Sequence, residues 1–193
     1  MVKKLEMLLV LLLAIFLLML PSETAFAQIN IAPIPRESLN NQVTLKKTNS
    51  CPQCNLQVIN LQRNDLTDAN LEKADLESAN LNESNLANAN LAGANLSKVS
   101  LRLVTLSEAD LNNSNLSEAT LYKADLTGAN LSGSNLSGAN LNKANLENAD
   151  LSGANLFKAY FRDANISGAN FDGARFCNTV LATGKLSYED CRK

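Results

Sequence analysis

Residues 121–156 read LYKADLTGANLSGSNLSGANLNKANLENADLSGANL, with a leucine at every fifth position. This spacing runs without insertion or deletion from Leu56 to Phe176, and its last four apolar residues are Phe161, Ile166, Phe171 and Phe176. The residue two places before each apolar position is alanine at 17 of the 22 positions from Ala69 to Ala174. The residue between them is mostly Asn or Asp, so the chain repeats A-(N/D)-L-x-x. One structural unit therefore recurs every five residues.

A period of five fits neither a regular helix nor a flat strand. Five residues of α-helix rotate a side chain by about 500°, so successive leucines would point in different directions. A flat strand alternates sides at every residue, so an odd spacing would place successive leucines on opposite faces. A short extended segment followed by a corner keeps every leucine on one side, and Gly, Asn, Asp and Ser suit such corners. The period therefore predicts a solenoid whose stacked turns share one core.

The A-(N/D)-L-x-x pattern resembles the pentapeptide-repeat family. The resemblance implies an all-β fold, a right-handed β-solenoid of quadrilateral section with four repeats in each coil. At that coil length the repeats of this chain make about six coils and a length of about 30 Å. Leucine and alanine would fill the interior, and Asn and Asp would stack in hydrogen-bonded ladders between coils. We expect caps at both ends, because an open apolar end would be exposed to water.

The first 27 residues have the features of a signal peptide. Two lysines precede an apolar run from Leu8 to Leu20, and small residues offer a cleavage site between Ala27 and Gln28. The apolar run of 13 residues is short for a bilayer. We therefore expect residues 1–27 to be removed on export, which leaves no stable membrane anchor. An uncleaved anchor is the alternative.

Three further segments follow the signal peptide. Residues 28–50 form a polar leader, in which Arg36 to Thr48 is predicted to be helical, with Leu39 and Val43 on one side, and to cover the first coil. Residues 51–176 form the solenoid. The repeat decays over residues 177–193, which are predicted to form the C-terminal cap.

Four cysteines lie at the two ends of the repeat, at Cys51, Cys54, Cys177 and Cys191. Four cysteines allow three pairings. Six coils would separate the ends by about 30 Å, whereas the Cα atoms of a disulfide lie within about 7 Å of each other. We therefore predict Cys51–Cys54 and Cys177–Cys191 disulfides, formed in an oxidising compartment. A redox-active CPQC motif is the alternative, and no zinc site is expected because the two pairs do not converge.

The two ends also carry a more specific resemblance. Cys51-Pro52-Gln53-Cys54 stands before the first repeat, and Ala174-Arg175-Phe176-Cys177-Asn178-Thr179 precedes one last cysteine. Both features are similar to exported pentapeptide-repeat proteins of cyanobacteria. This resemblance implies a location in the periplasm or the thylakoid lumen.

The composition argues against catalysis. The chain contains no His and no Trp, so the usual general base and the commonest metal ligand are both missing. No Ser or Cys has a candidate partner that would activate it as a nucleophile, and the glycines recur at corners rather than in a phosphate-binding loop. We therefore expect no enzyme activity, cofactor, metal or small-molecule substrate.

In a 20-residue register the outward positions divide into four faces of different charge. The face through Leu61 and Leu81 carries a net charge of +3, the next face −5 and the fourth −3, while the first is neutral. We call the positive one the basic face. Its candidate binding residues are Arg63, Arg102, Leu103, Tyr122, Lys123, Lys143, Tyr160 and Arg162. Basic and aromatic residues are enriched at protein interfaces, although drift on a solvated surface would also produce such a split.

One segment, which includes Arg102 and Leu103 of the basic face, departs from the motif. From Lys98 to Thr105 the small position is valine twice running, the Asn before the leucine is lost, and Leu103 is placed outward. A tolerated bulge or a different corner geometry would explain this departure. The functional interpretation is that Arg102 and Leu103 mark the binding patch.

These features favour an exported, non-enzymatic structural or interaction module that presents a rigid, charge-sorted surface to a protein partner. The alternative implied by the family is a DNA-mimicking protein that binds DNA gyrase and protects it from quinolones. The export signal, the basic face and the lack of a helical C-terminal dimerisation segment all depart from that type. A CPQC-based redox protein is a third interpretation. Nucleic acid is a poor partner for a short, sparse basic strip, and we expect a monomer or a weak homo-oligomer.

Overall fold

The computed structural model describes residues 34–187 and Cys191. The predicted signal peptide, with its cleavage site between Ala27 and Gln28, lies outside the described residues. The regular elements are helix α1 (Arg36–Thr48) and two short strands, β1 (Thr179–Val180) and β2 (Leu186–Ser187), which pair antiparallel. Residues between α1 and β1 form stacked turns joined by single parallel bridges. No helix in the described part is long and apolar enough to cross a membrane.

The stacked turns form a β-solenoid. Every bridge joins residues twenty positions apart, from Ser50 with Asn70 to Tyr160 with Val180. Each bridged residue stands directly before an apolar position. The N–H of that apolar residue donates to the carbonyl of the bridged residue in the next coil, as from Leu91 to Asp110 at 2.7 Å. Four five-residue repeats therefore separate neighbours in each ladder.

The five-residue period is produced by a tight turn in each repeat. The N–H of the small residue donates to the carbonyl of the preceding leucine, as from Ala74 to Leu71 at 3.0 Å. The residue two places after the leucine has a positive φ, as at Lys73 with 55° and Gly93 with 66°. This corner turns the chain so that the next leucine points inward again. The leucines from Leu56 to Leu156 and Phe161 are all buried, as are the residues at the small position from Ala69 to Ala159.

Asn and Asp side chains fix the corners and connect successive coils. Within a repeat, the side-chain oxygen accepts from the N–H two residues later, as from Ala92 to Asn90 at 3.1 Å. Between coils, the amide group donates to the side chain twenty residues earlier. The longest such ladder runs through Asp75, Asn95, Asn115, Asn135 and Asn155. The predicted side-chain ladders are therefore present.

Helix α1 has the predicted bounds, but the side that carries Leu39 and Val43 does not face the first coil. Leu39 and Val43 are 44% and 66% exposed, whereas Ser38 and Leu45 are fully buried. The amide side chains of α1 explain this orientation, because Asn41 donates to the Asn55 carbonyl and Gln42 to the Asn60 carbonyl of the first coil, at 2.9 and 2.8 Å. These carbonyls belong to the open edge of the solenoid, so the helix supplies polar partners as well as apolar cover.

The C-terminal coil is less completely buried than the others. Ile166 is 39% exposed, and Phe171 and Phe176 are half-buried. The expectation that every apolar position would be interior therefore fails at the last repeats. The reason is that Leu181 continues the period above Phe161 but lies in the β1–β2 hairpin, so no further coil covers Ile166, Phe171 and Phe176 among the described residues. A cavity of about 230 Å³ remains between this hairpin and the aromatic end of the core.

Candidate interaction face

The solenoid brings the predicted residues of the basic face together in successive coils. Ladder bridges join Ser100, Thr120, Asn140 and Tyr160, which stand directly before the turns of this face. Each of those turns carries one or two of the candidate residues. All candidate residues are exposed except Tyr122, which is half-buried. Leu103 and Tyr160 expose 52% and 45% of their surface.

Ion pairs divide the basic face into two parts. Arg63 bonds to Glu83 through Nε and Oε2 at 2.8 Å, which neutralises the first two coils. The other ion pairs in the described part of the chain are Lys73–Glu72 and Lys98–Glu77, on other faces. None of these three pairs includes the remaining cations of the basic face, which are Arg102, Lys123, Lys143 and Arg162. The positive charge available for binding therefore lies between residues 102 and 162.

Tyr122 lies beside two of these four cations. The Arg102 guanidinium lies 5.4 Å and the Lys123 ammonium 5.7 Å from the centroid of its ring. Cation–π contacts of this kind restrain a side chain without neutralising its charge. Arg102 and Lys123 are thereby held on one patch and remain able to bind an anionic group.

The irregular segment at residues 98–105 contains no bulge. Its bridges, Ser100 with Thr120 and Thr105 with Asp125, keep the twenty-residue spacing. Ser100 replaces the usual Asn, and the Arg102 N–H donates instead to Asn82 Oδ1 of the previous coil, at 2.7 Å. The Ser100 hydroxyl donates to the same oxygen, at 2.8 Å. Asn82 therefore supports the backbone at Arg102, although among the described residues the Val104 N–H makes no bond to the Leu101 carbonyl, which is the corner bond of a standard repeat.

Two acidic groups near the paired end of the face have shifted pKa values. The hydrogen bond and charge of Arg63 lower the pKa of Glu83, and the same contact raises the pKa of Arg63. Hydrogen bonds from Thr67 lower the pKa of Asp65. Both carboxylates stay ionised at neutral pH. The Arg63–Glu83 pair therefore persists there and is lost as the pH falls through the lowered pKa of Glu83.

The cysteines pair as the sequence predicts, Cys51 with Cys54 and Cys177 with Cys191, with Cα–Cα distances of 5.4 and 5.0 Å. The two bonds differ in exposure. Cys51 is 2% exposed and belongs to the core, and Cys54 packs against it. Cys177 is half-buried and Cys191 is exposed. Cys54 is half-buried like Cys177, so the two disulfides differ in their other sulfur, and a thiolate would reach the C-terminal disulfide more easily through exposed Cys191.

Sequence reasoning missed the apolar cavity at the C-terminal end. Its walls include Phe161, Ile166, Phe171 and Phe176, and the three phenylalanine rings pack at centroid distances of 6.3 and 5.6 Å. The signal was present in the sequence, because leucine gives way to aromatic residues only in this coil. Among the described residues, no group of His, Cys, Asp or Glu could hold a metal ion.

Pentapeptide repeats match the chain in eight copies, over residues 53–82, 84–122, 119–156 and 159–182. A pentapeptide repeat protein from the thylakoid lumen of Arabidopsis thaliana is 32% identical over 48% of this chain, with a TM-score of 0.47; the match spans 64% of that protein's length, less than two thirds. One from the cyanobacterium Cyanothece is 30% identical over 74% of this chain and 98% of that one, with a TM-score of 0.30. A plasmid-mediated fluoroquinolone resistance protein is 19% identical over 70% of this chain and 85% of that one, with a TM-score of 0.39. No curated protein matches the chain.

Proposed function

Because the chain belongs to the pentapeptide-repeat family, we propose that it is a non-enzymatic interaction module, exported to the periplasm or the thylakoid lumen, which binds a protein partner through its basic face. The observation that carries this proposal is the group of cations at Arg102, Lys123, Lys143 and Arg162, which have no acidic partner among the ion pairs of the described residues. Exposed Leu103 and half-buried Tyr122 add the apolar area that protein interfaces use.

The disulfides and the signal-like first 27 residues support export, because disulfides persist in oxidising compartments. The expected mature protein begins at Gln28 and is found in the exported fraction of the native host. Mass spectrometry of the N-terminus in separated compartments tests this. Cytosolic protein that retains residues 1–27 would contradict export and would favour the gyrase-binding alternative.

The twenty-residue ladder supports about six coils between residues 51 and 176. We extend the proposal to the right-handed coil and quadrilateral section of the family, which would place the basic face on one flat side. The buried position of Cys51 argues against a redox function for the CPQC motif, because a substrate disulfide must reach the attacking sulfur.

A photo-activated cross-linking residue in place of Leu103 tests the binding face. We expect it to form an adduct with one protein in the exported fraction, and we expect that adduct to be lost when Lys123 and Lys143 are changed to Ser. Val58 is the matched control position, since it also stands two places after a leucine and is 44% exposed, but lies on another face. Equal labelling from positions 58 and 103 would overturn the proposal.

A further inference from the structure

The cations of the basic face that lie outside the Arg63–Glu83 pair indicate the chemistry of its partner. Arg102, Lys123, Lys143 and Arg162 stand in four successive coils and are all exposed. With coils about 4.8 Å apart, the three steps from Arg102 to Arg162 cover about 14 Å along the solenoid. The cations therefore form a line along the axis rather than a round patch.

From this line we propose that the basic face binds an extended acidic segment of another protein, with carboxylates at alternate positions, lying along the solenoid axis. This inference rests on the proposed function and names the partner's chemistry. Alternate residues of an extended segment lie about 6.6 Å apart on one side. Three such carboxylates therefore span about 13 Å, nearly the length of the line of cations.

The two ends of the line define where the segment begins and stops. Leu103 is 52% exposed beside Arg102 and offers an apolar contact at one end. Asp163 is exposed beside Arg162 and would repel a further carboxylate at the other end. Toward the N-terminus, Arg63 is already neutralised by Glu83. The available charge thus matches a short segment with about three acidic residues.

A protein segment fits this surface better than a phosphate backbone does. The phosphates along the outside of a duplex offer no apolar group to the exposed Leu103, whereas the side chains of a protein segment do. Tyr122 lies between Arg102 and Lys123, so those two cations are held in place before binding. Holding them in advance reduces the side-chain entropy that a peptide contact would otherwise lose.

Fluorescence anisotropy with labelled heptapeptides tests the proposal. The probe is TETETET, and its controls are the uncharged TQTQTQT and the equally charged TTEEETT. We expect TETETET to bind at low ionic strength, TTEEETT to bind several-fold more weakly and TQTQTQT not to bind. We expect K123Q/K143Q to weaken the binding of TETETET by about tenfold or more. The matched control is K98Q/K158Q, which removes two lysines from another face and should change binding less than about twofold.

Three results would overturn the inference. The first is binding of TQTQTQT as tight as that of TETETET. The second is an equal loss of affinity for TETETET in K123Q/K143Q and K98Q/K158Q. The third is binding of duplex DNA or anionic phosphatidylglycerol vesicles by a protein that does not bind TETETET. Binding of TTEEETT as tight as that of TETETET would overturn the extended conformation. The cross-link from position 103 separates this inference from the function it rests on. If the adduct forms but TETETET does not bind, the acidic-segment inference falls and the interaction function stands; if both fail, both fall.

Discussion

Two buried serines are exceptions to the preference of the repeat for alanine at the small position. Ser114 and Ser134 occupy the alanine position in adjacent coils and are each 1% exposed. Their hydroxyl oxygens have no hydrogen-bond partner among the described residues, whereas the equivalent Ser84 hydroxyl donates to the Leu81 carbonyl. A buried polar group without a partner costs about 1–3 kcal/mol. We expect S114A and S134A each to raise the free energy of unfolding by about 1 kcal/mol, measured by denaturant titration. S84A is the control and should be neutral or destabilising.

The corner residue is a second single-residue constraint, and Val58 satisfies it poorly. Val58 has a φ of 51°, in the left-handed region that β-branched residues disfavour, and it is 44% exposed, so it packs little. Glycine adopts this φ without steric cost but is more flexible in the unfolded chain. We expect V58G to stabilise the fold by up to about 1 kcal/mol in thermal unfolding. Buried Val104 provides the contrast, because V104G empties core volume and should destabilise by about 2 kcal/mol or more. Destabilisation by V58G would show that its side chain matters more than its backbone.

At the scale of the ladder, charge decides which residues can be exchanged. Asn130 donates to Asp110 Oδ1 at 3.1 Å, and Asn115 donates to the neutral Asn95 at 3.3 Å. We expect N130D to destabilise the protein more than N115D at pH 7, because it places two carboxylates in contact. The repulsion raises the pKa of the introduced carboxyl, so the extra loss is present above that pKa and disappears as the pH falls below it. Unfolding of both variants between pH 3 and 7 measures this, and an unchanged gap across that range would contradict it.

At the scale of the N-terminal cap, helix α1 offers two leucines with opposite environments. Leu45 is fully buried in the core cluster, and Leu39 is 44% exposed. We expect L45A to lower the free energy of unfolding by about 2–5 kcal/mol and L39A to change it by less than about 0.5 kcal/mol. Similar losses in the two variants would contradict the observed orientation of the helix.

The same helix illustrates what the sequence can and cannot predict. The leucine period alone predicts an inward leucine and a corner in every repeat, because no regular helix or flat strand keeps residues five apart on one side. The sequence of α1 does not predict which side of the helix packs on the solenoid, since Leu39 and Val43 form an i, i+4 pair that resembles a buried apolar face. The carbonyls at the edge of the first coil decide the orientation instead, through Asn41 and Gln42, and these partners are identified only in three dimensions. A twenty-residue register predicts the basic face, whereas the ion pair between Arg63 and Glu83 is identified only from the structure.

At the scale of the whole repeat array, the two ends have unequal protection. In a repeat protein each coil is stabilised mainly by its neighbours, so a terminal coil is the first to open. The N-terminal coil is covered by α1, whereas Ile166 in the last coil remains 39% exposed. We expect amide hydrogen exchange to be slowest over residues 71–156 and faster over residues 161–176. Equal protection of the two segments would contradict this gradient.

The C-terminal disulfide is expected to control that gradient. Exposed Cys191 gives a reductant access, whereas Cys51 is 2% exposed within the core. Because thiol–disulfide exchange requires a thiolate to approach the sulfur directly, a mild dithiol should open Cys177–Cys191 before Cys51–Cys54. Mass spectrometry after alkylation identifies the opened pair. Exchange over residues 161–176 should then increase while residues 71–156 keep their protection, and C177S/C191S should reproduce this pattern without reductant. If Cys51–Cys54 opens first, exposure does not determine which end of the solenoid is reduced.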